Sequence, residues 1–224
     1  MNTSNALVLD FGSQVTKLIA RKIRELSVYS EIVPFNTKIQ DIIKRNPDCI
    51  ILSGSPASVH DRKAPKIDSK ILELGVPVLG ICYGAQLISK MLGGRVEKSK
   101  IREFGPSKLK KLSQSKILKN ISSNETSWMS HGDTIVRLPK SLKVLARSEF
   151  GSISVFSSKD SKIIGTQFHP EVMHTSFGKQ FFKTFLNMAG CKPNWKPSKL
   201  VNNSSVSQIF ANAFFTLGTP RTNH

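Results

Sequence analysis

Residues 77–87 read PVLGICYGAQL, where an apolar run, a cysteine between two glycines and a helical pattern follow one another. The run predicts a buried strand over 78–81, and the pattern after it predicts a helix over 83–92. Cys82 therefore lies where a strand ends and a helix begins, and Gly-x-Cys-x-Gly at such a turn is the cysteine form of a nucleophile elbow. The stretch alone leaves open whether Cys82 is a nucleophile or a small buried thiol, the commoner fate of a lone cysteine.

The rest of the chain repeats this alternation of apolar runs and helical stripes. Strands are predicted over 6–11, 31–35 and 49–52, and helices over 15–26, 39–43, 67–74 and 177–188. After residue 94, alternating segments predict added strands over 95–102, 107–112, 134–138, 142–147, 152–156 and 162–168. We therefore predict an α/β fold, a three-layer sandwich with an open, mainly parallel, doubly wound (flavodoxin-like) sheet plus added antiparallel strands.

Composition narrows the class of protein. The 224 residues, 39% of them hydrophobic, are enough for one domain with its own core. The formal net charge of +18 comes from basic residues scattered along surface-type positions, and no basic stretch is interleaved with stacking aromatics. We therefore expect a lysine-rich surface and no nucleic-acid partner, while an anionic substrate or an acidic partner subunit stays open.

Cysteine usage and hydropathy indicate the compartment. The three cysteines, Cys49, Cys82 and Cys191, cannot all pair, which is typical of a reducing, intracellular environment. The N-terminus lacks the basic start of a signal peptide, and no apolar run approaches the length of a membrane span. The sequence thus predicts a soluble cytoplasmic chain with no membrane partner.

A cysteine nucleophile needs a base, and His169 is the histidine whose context suits that task. It follows the apolar run 163–168 and precedes Pro170 and Glu171. The proline restrains the backbone, and the carboxylate is close enough to hold the imidazole in one tautomer. A His-Pro turn with a solvent-facing glutamate stays open as the simpler interpretation.

Two long motifs, 80–86 (GICYGAQ) and 167–171 (QFHPE), together resemble the class I (triad) glutamine amidotransferases, over about residues 6–195. Four shorter segments are most similar to the N-terminal glutaminase domain of GMP synthases: 10–14 (DFGSQ), 102–105 (REFG), 128–133 (WMSHGD) and 171–175 (EVMHT). The resemblance implies an enzyme that hydrolyses glutamine to glutamate and ammonia. It further implies that the ammonia serves the amination of XMP to GMP in purine biosynthesis.

The same resemblance implies a catalytic triad. Cys82 would be the nucleophile, His169 the general base and acid, and Glu171 the group that orients the imidazole. The reaction would be a double displacement through a thioester on the cysteine, with glutamine as the substrate. No set of residues has metal-ligand spacing, and no cofactor is expected in this chain.

The resemblance also implies an oxyanion hole from the N–H of Tyr83 and the loop that holds Gly54 and Ser55. The family usually has glycine where this chain has Ser55. If that position needs a positive φ, a serine there lowers the stability of the loop by on the order of 1 kcal/mol, or the loop adopts a different backbone conformation. Val15 also departs from the tyrosine often found in the family, and no consequence follows from the sequence.

Three further residues are implied to lie near the bound glutamine, namely Gln86, Ser130 and His131. The last two belong to the stretch 128–133, which is interpreted as a turn because of its glycine and aspartate.

Residues 1–190 are expected to form the amidotransferase domain, and 191–224 a linker and an unassigned tail. The ATP-pyrophosphatase domain of GMP synthases, with its Ser-Gly-Gly-Val-Asp-Ser loop, has no counterpart in the sequence. ATP and magnesium are therefore implied only for a partner, which would be a synthetase domain or subunit. Whether the chain is a stand-alone subunit or a truncated product stays open. So do two other functions, an inactive relative kept as a binding or regulatory module and a γ-glutamyl hydrolase of the same fold.

Overall fold

The computed structural model describes residues 4–196, apart from the side chains of Lys100 and Ile101. The strands are β1 (Asn5–Asp10), β2 (Tyr29–Pro34), β3 (Cys49–Leu52), β4 (Val78–Ile81), β5 (Arg95–Lys111), β6 (Thr126–Arg137), β7 (Leu142–Ser148), β8 (Ile153–Ser158) and β9 (Ile163–Thr166). The α-helices are α1 (Thr16–Glu25), α2 (Ile39–Lys44), α3 (Tyr83–Met91) and α4 (Gly178–Met188). The tail predicted to follow the domain lies, beyond residue 196, outside the described residues.

Within the described part of the chain, nine strands form one sheet in the order β2-β1-β3-β4-β9-β8-β7-β5-β6. The first five strands in that order are parallel, and the last four extend the sheet by antiparallel pairing. The predicted fold class is therefore confirmed. The central strands β3 and β4 are buried at every position, as expected for a sheet covered on both faces.

Helices cover both faces of the parallel half. On one face α1 and α4 pack together, and their shared core includes Ile19, Ile23, Phe181 and Phe185. On the other face α2 and α3 cover a second core that includes Ile42, Tyr83 and Ile88. Two apolar layers against one sheet account for the three-layer sandwich.

Three local predictions differ from the structure. The segment predicted as a helix over 67–74 is a short 3-10 turn, Ser69–Glu73. The two segments predicted over 95–102 and 107–112 belong to one long strand, β5. The turn predicted over 128–133 is wrong, because these residues lie in the middle of β6 and pair with β5. Glycine and aspartate weaken a strand locally, but cross-strand pairing overrides that preference.

The chain leaves α4 along the amino ends of the parallel strands. The N–H of Lys192 donates to Ser4 Oγ at 2.9 Å, just before β1, and the N–H of Trp195 donates to the carbonyl of Ser27 at 2.8 Å, just before β2. The Trp195 ring lies 6.3 Å from the ring of Tyr29. Residues 191–195 therefore pack against the amino edge of the sheet.

Candidate active site

Cys82 lies at the turn that joins β4 to α3, and its backbone is strained there. Its φ of 51° and ψ of −104° are values that residues with a side chain rarely adopt. The flanking glycines make the turn possible. A Cβ on Gly84 would lie 2.5 Å from the carbonyl oxygen of Leu52, and one on Gly80 would lie 2.7 Å from the backbone nitrogen of Ala85. The turn presents the thiol at the carboxyl edge of the sheet, 5% exposed, in front of the N-terminus of α3.

His169 reaches the same edge because β9, which precedes it, pairs in parallel with β4. Its backbone is held on both sides, since its N–H donates to the carbonyl of Trp128 at 3.0 Å and its carbonyl accepts from Thr175 Oγ1 at 2.7 Å. The ring Nδ1 lies 2.7 Å from Oε1 of Glu171, a carboxylate with no exposed surface. The carboxylate fixes the ring orientation and occupies Nδ1, which leaves Nε2 unpaired by Glu171, and His169 lines the same cavity as Cys82.

The neighbours of His169 favour its protonated form. Burial acts to lower the pKa of His169, but hydrogen bonds and charge interactions with Cys82 and Glu171 outweigh burial and raise the pKa to about 10. At neutral pH the ring is therefore an imidazolium beside the sulfur. This pairing is the arrangement in which a cysteine acts as a nucleophile and a histidine as a proton donor.

Cys82 lines two neighbouring cavities, which also share Ser55, Pro56 and Ser130. The first, of about 320 Å³, is lined by residues of β6, of α3 and of the loop after β3, among them Ser55, Tyr83, Gln86, Ser130 and His131. The second, of about 430 Å³, includes His169 and the loop after β1, among them Gly12, Ser13, Trp128 and Val172. Cys82 thus lies where the two cavities adjoin.

The predicted oxyanion donors lie around the first cavity. Tyr83 is the first residue of α3, where backbone N–H groups have no partner within the helix. Ser55 lines both cavities, and its φ is not positive, so the strain considered from the sequence does not arise. Its Oγ accepts a hydrogen bond from the N–H of Ala57 at 3.2 Å. A Cβ on Gly54 would lie 3.3 Å from His169 Cε1, which places that glycine beside the imidazole.

The structure brings together the three residues predicted to lie near the substrate. Gln86, Ser130 and His131 all line the first cavity. His131 Nδ1 lies 2.9 Å from the carbonyl oxygen of Asp133. Burial lowers the pKa of His131 more than the charges of Glu103 and Asp133 raise it, so this ring is neutral at physiological pH.

Two residues that contact the site were not assigned a role from the sequence. Gln167 Nε2 lies 3.6 Å from Cys82 Sγ, and Thr175 joins the His169 carbonyl to the N–H of Trp128, which donates to Thr175 Oγ1 at 3.0 Å. Both belong to the motifs quoted above. Gln167 lies two residues before His169 and Thr175 six residues after it, and this nearness in the sequence is the only signal that could have found them.

The described residues contain no group of three or more His, Cys, Asp and Glu side chains arranged to hold a metal ion. Across residues 4–196, every helix is too short or too polar to cross a membrane.

Comparison with known proteins identifies the family. The profile of the class-I glutamine amidotransferases matches residues 7–189, most of the chain. This chain belongs to that family. The resemblance noted in the sequence is thereby confirmed, and the chain is a glutamine amidotransferase.

Two curated relatives of this amidotransferase show how much of a longer protein the chain matches. It is 46% identical over 209 residues to the GMP synthase [glutamine-hydrolyzing] of Caldicellulosiruptor saccharolyticus, covering 92% of this chain and 41% of the relative. It is 46% identical over 197 residues to the corresponding protein of Aquifex aeolicus, covering 88% and 39%. The chain therefore spans about two fifths of the length of these relatives.

Solved structures support the same family. A protein from Thermoplasma acidophilum, described as one of the subunits of a GMP synthase, matches with a TM-score of 0.72 and 33% identity, over 85% of this chain and 96% of that one. A glutamine amidotransferase from Thermotoga maritima matches with a TM-score of 0.67 over 96% and 97% of the two chains. Its identity is 20%, so it supports the amidotransferase fold alone.

Proposed function

We propose that this amidotransferase hydrolyses glutamine to glutamate and ammonia through a triad of Cys82, His169 and Glu171. The observation that carries the proposal is a series of three interacting groups: the Cys82 sulfur at a strained strand-to-helix turn, the His169 imidazole beside it, and the buried Glu171 carboxylate that is hydrogen-bonded to the imidazole. Each of the three groups has one chemical role. The sulfur attacks, the imidazole moves protons, and the carboxylate stabilises the imidazolium and fixes its orientation.

The first half of the reaction releases ammonia. The Cys82 thiolate attacks the γ-carboxamide carbon of glutamine, and a tetrahedral oxyanion forms. The N–H of Tyr83 and a backbone N–H of the loop at Gly54 and Ser55 stabilise that oxyanion. His169 then gives a proton to the leaving nitrogen, the C–N bond breaks, and ammonia departs from a γ-glutamyl thioester.

The second half restores the enzyme. Neutral His169 takes a proton from water, and the resulting hydroxide attacks the thioester carbon. The C–S bond breaks, glutamate leaves, and Cys82 returns as a thiolate beside the imidazolium. The first cavity, with Gln86, Ser130 and His131 in its wall, is the space we assign to glutamine.

The ammonia is proposed to pass to a synthetase domain or subunit that uses ATP and magnesium to aminate XMP to GMP. Support comes from the relatives, which are named GMP synthase [glutamine-hydrolyzing] and of which this chain matches only about two fifths. The second cavity adds support, because it meets the site on the side of His169, where the leaving ammonia takes up its proton.

The test measures glutamate release from glutamine by the purified chain, with and without a synthetase partner. We expect Cys82→Ala to abolish release. The matched control, Cys191→Ala, removes another buried thiol at the opposite edge of the sheet and is expected to keep the activity. A diazoketone analogue of glutamine, which alkylates an activated thiol, is expected to label Cys82 even if turnover needs the partner. Undiminished release in Cys82→Ala, or no labelling of Cys82, contradicts the proposal.

A further inference from the structure

A chain of buried amides leads to Cys82 from the wall of the first cavity. Gln86 Nε2 lies 2.9 Å from the carbonyl oxygen of Asp133 and 3.3 Å from Gln167 Oε1. Gln167 Nε2 in turn lies 3.6 Å from Cys82 Sγ. Gln86 is 3% exposed and Gln167 is 1% exposed, so water competes little with these contacts. We call the Asp133 carbonyl and the two amides the amide relay.

The chemistry of a carbonyl group fixes the direction of the whole relay. A backbone carbonyl oxygen can only accept, so the Gln86 atom that faces the Asp133 oxygen must be the donor, Nε2. That same Nε2 also faces the Gln167 amide, whose nearer atom must therefore be the acceptor, Oε1. The other atom of the same amide, Gln167 Nε2, therefore faces the sulfur.

The sulfur has two competing neighbours besides His169. The Ser130 carbonyl oxygen, 3.6 Å from Sγ, is an acceptor and favours the thiol, which can donate to it. The Gln167 N–H, at the same distance, is a donor and favours the thiolate, which can only accept. A hydrogen bond to a charged group is worth more than one to a neutral group, so the donor has the larger effect.

We propose that Gln167 stabilises the thiolate of Cys82 through an N–H donor whose direction is set by Gln86 and the Asp133 carbonyl. Gln167 thereby acts on a reacting atom, and Gln86 acts on that atom through Gln167 in addition to lining the cavity. The inference rests on the assignment of Cys82 as the nucleophile in the proposed function. It goes beyond that function, because a group outside the triad helps to stabilise the negative charge on the sulfur.

The test measures the rate at which iodoacetamide alkylates Cys82 as a function of pH, followed by peptide mass spectrometry. Gln167→Met keeps the size of the side chain and removes the donor. We expect its rate–pH profile to move to higher pH, with alkylation about threefold to tenfold slower at pH 7. The titratable groups around the sulfur stay the same in the variant: His169, Glu171, His131, Asp133 and Glu103.

A second variant tests the relay itself. Gln86 makes no hydrogen bond with the sulfur among the described contacts, yet Gln86→Met frees the Gln167 amide to turn, so we expect a smaller shift in the same direction. The control is Ser154→Ala, because Ser154 is equally buried and contacts Gln167 only through its backbone carbonyl, at 2.9 Å. We expect no shift there.

A Gln167→Met profile identical to that of Ser154→Ala overturns the proposal. If the rate–pH profile shifts in Gln167→Met but not in Gln86→Met, Gln167 remains the donor to the sulfur, and the role of Gln86 in the amide relay is overturned. Urea unfolding of each variant shows whether it is folded, and if Gln167→Met is not, Gln86→Met carries the test. Alkylation by iodoacetamide needs no glutamine site. A protein whose Cys82 alkylates as expected but is not labelled by the diazoketone analogue of glutamine therefore refutes the proposed function and not this inference.

Discussion

The backbone of Cys82 holds an unusual conformation so that its thiol can leave the sheet. A φ of 51° with a ψ of −104° is tolerated far better by glycine than by any residue with a Cβ. Strain of this kind costs of order 1–3 kcal/mol and persists where the surroundings impose it. The position of the thiol is therefore obtained at the expense of stability.

This strain predicts that glycine at position 82 gives a more stable protein than alanine at the same position. Cys82→Gly relieves the strain and Cys82→Ala does not, although both remove the sulfur. We expect Cys82→Gly to have a free energy of unfolding about 1 kcal/mol higher than that of Cys82→Ala, measured by urea denaturation. An alanine variant that is equally stable or more stable would show that the turn is relaxed.

Sequence and structure agree unevenly at the residue scale. Cys82, His169 and Glu171 could be named as candidates because each lies in a long local motif. The contact between Gln86 and Gln167 could not be predicted, because it joins residues 81 positions apart and depends on which way two amides turn. Local pattern identifies a reactive residue type, whereas its polar environment comes from tertiary packing.

At the scale of elements, the junction between β4 and α3 determines where the sulfur lies. Gly84, the second residue of α3, is in contact with the backbone of β3, since a Cβ there would lie 2.5 Å from the Leu52 carbonyl oxygen. The helix can begin this close to the sheet only because no side chain intervenes.

Adding one methyl group at this junction should separate the two elements. We expect Gly84→Ala to lower the free energy of unfolding by about 1–3 kcal/mol, because the methyl group overpacks against rigid backbone. Gly132→Ala is the matched control, since a Cβ at Gly132 meets nothing within 4 Å. Thermal or urea unfolding of the two variants makes the comparison, and equal stabilities would mean that α3 can shift without cost.

Elements also differ in how far the sequence could predict them. The strands β1, β3 and β4 are continuous apolar runs, because both faces of a parallel sheet are covered, and the sequence located all three. The long strand β5 and its partner β6 have mixed composition and a register irregularity between Lys98 and Glu103. The continuity of these strands depends on their pairing with each other. The local sequence pattern therefore predicted two segments in place of β5 and a turn in place of part of β6.

For the molecule as a whole, the interactions of His169 with Cys82 and Glu171 contribute to the pH dependence of folding. The folded pKa of His169, about 10, lies above the unfolded value of about 6.5. Its contribution to stability is therefore complete below about pH 6.5 and is lost as the pH rises through about 10.

We expect the difference in unfolding free energy between the parent protein and His169→Gln to shrink as the pH rises from 7 to 10. Urea unfolding at several pH values measures it. His131→Gln is the control. The folded pKa of His131 is lowered by burial, so its pH dependence falls below about pH 6.5 and its difference should stay constant from 7 to 10. A His169→Gln difference that does not shrink contradicts the imidazolium at this site.

Residues 191–195 run along the amino edge of the sheet, and this position constrains how the proposed ammonia could reach a domain joined to the chain. The chain is fastened at Ser4 and Ser27, whereas the thiol of Cys82 opens at the other end of the strands. Strands of four to six residues separate the two edges by about 13–20 Å. A domain that followed residue 196 would thus begin at the edge of the sheet opposite the thiol at which we propose that ammonia is released. The distance between these two edges therefore sets a minimum for the length of any connector in the proposed transfer, and that length would matter as much as the interface between the two sites.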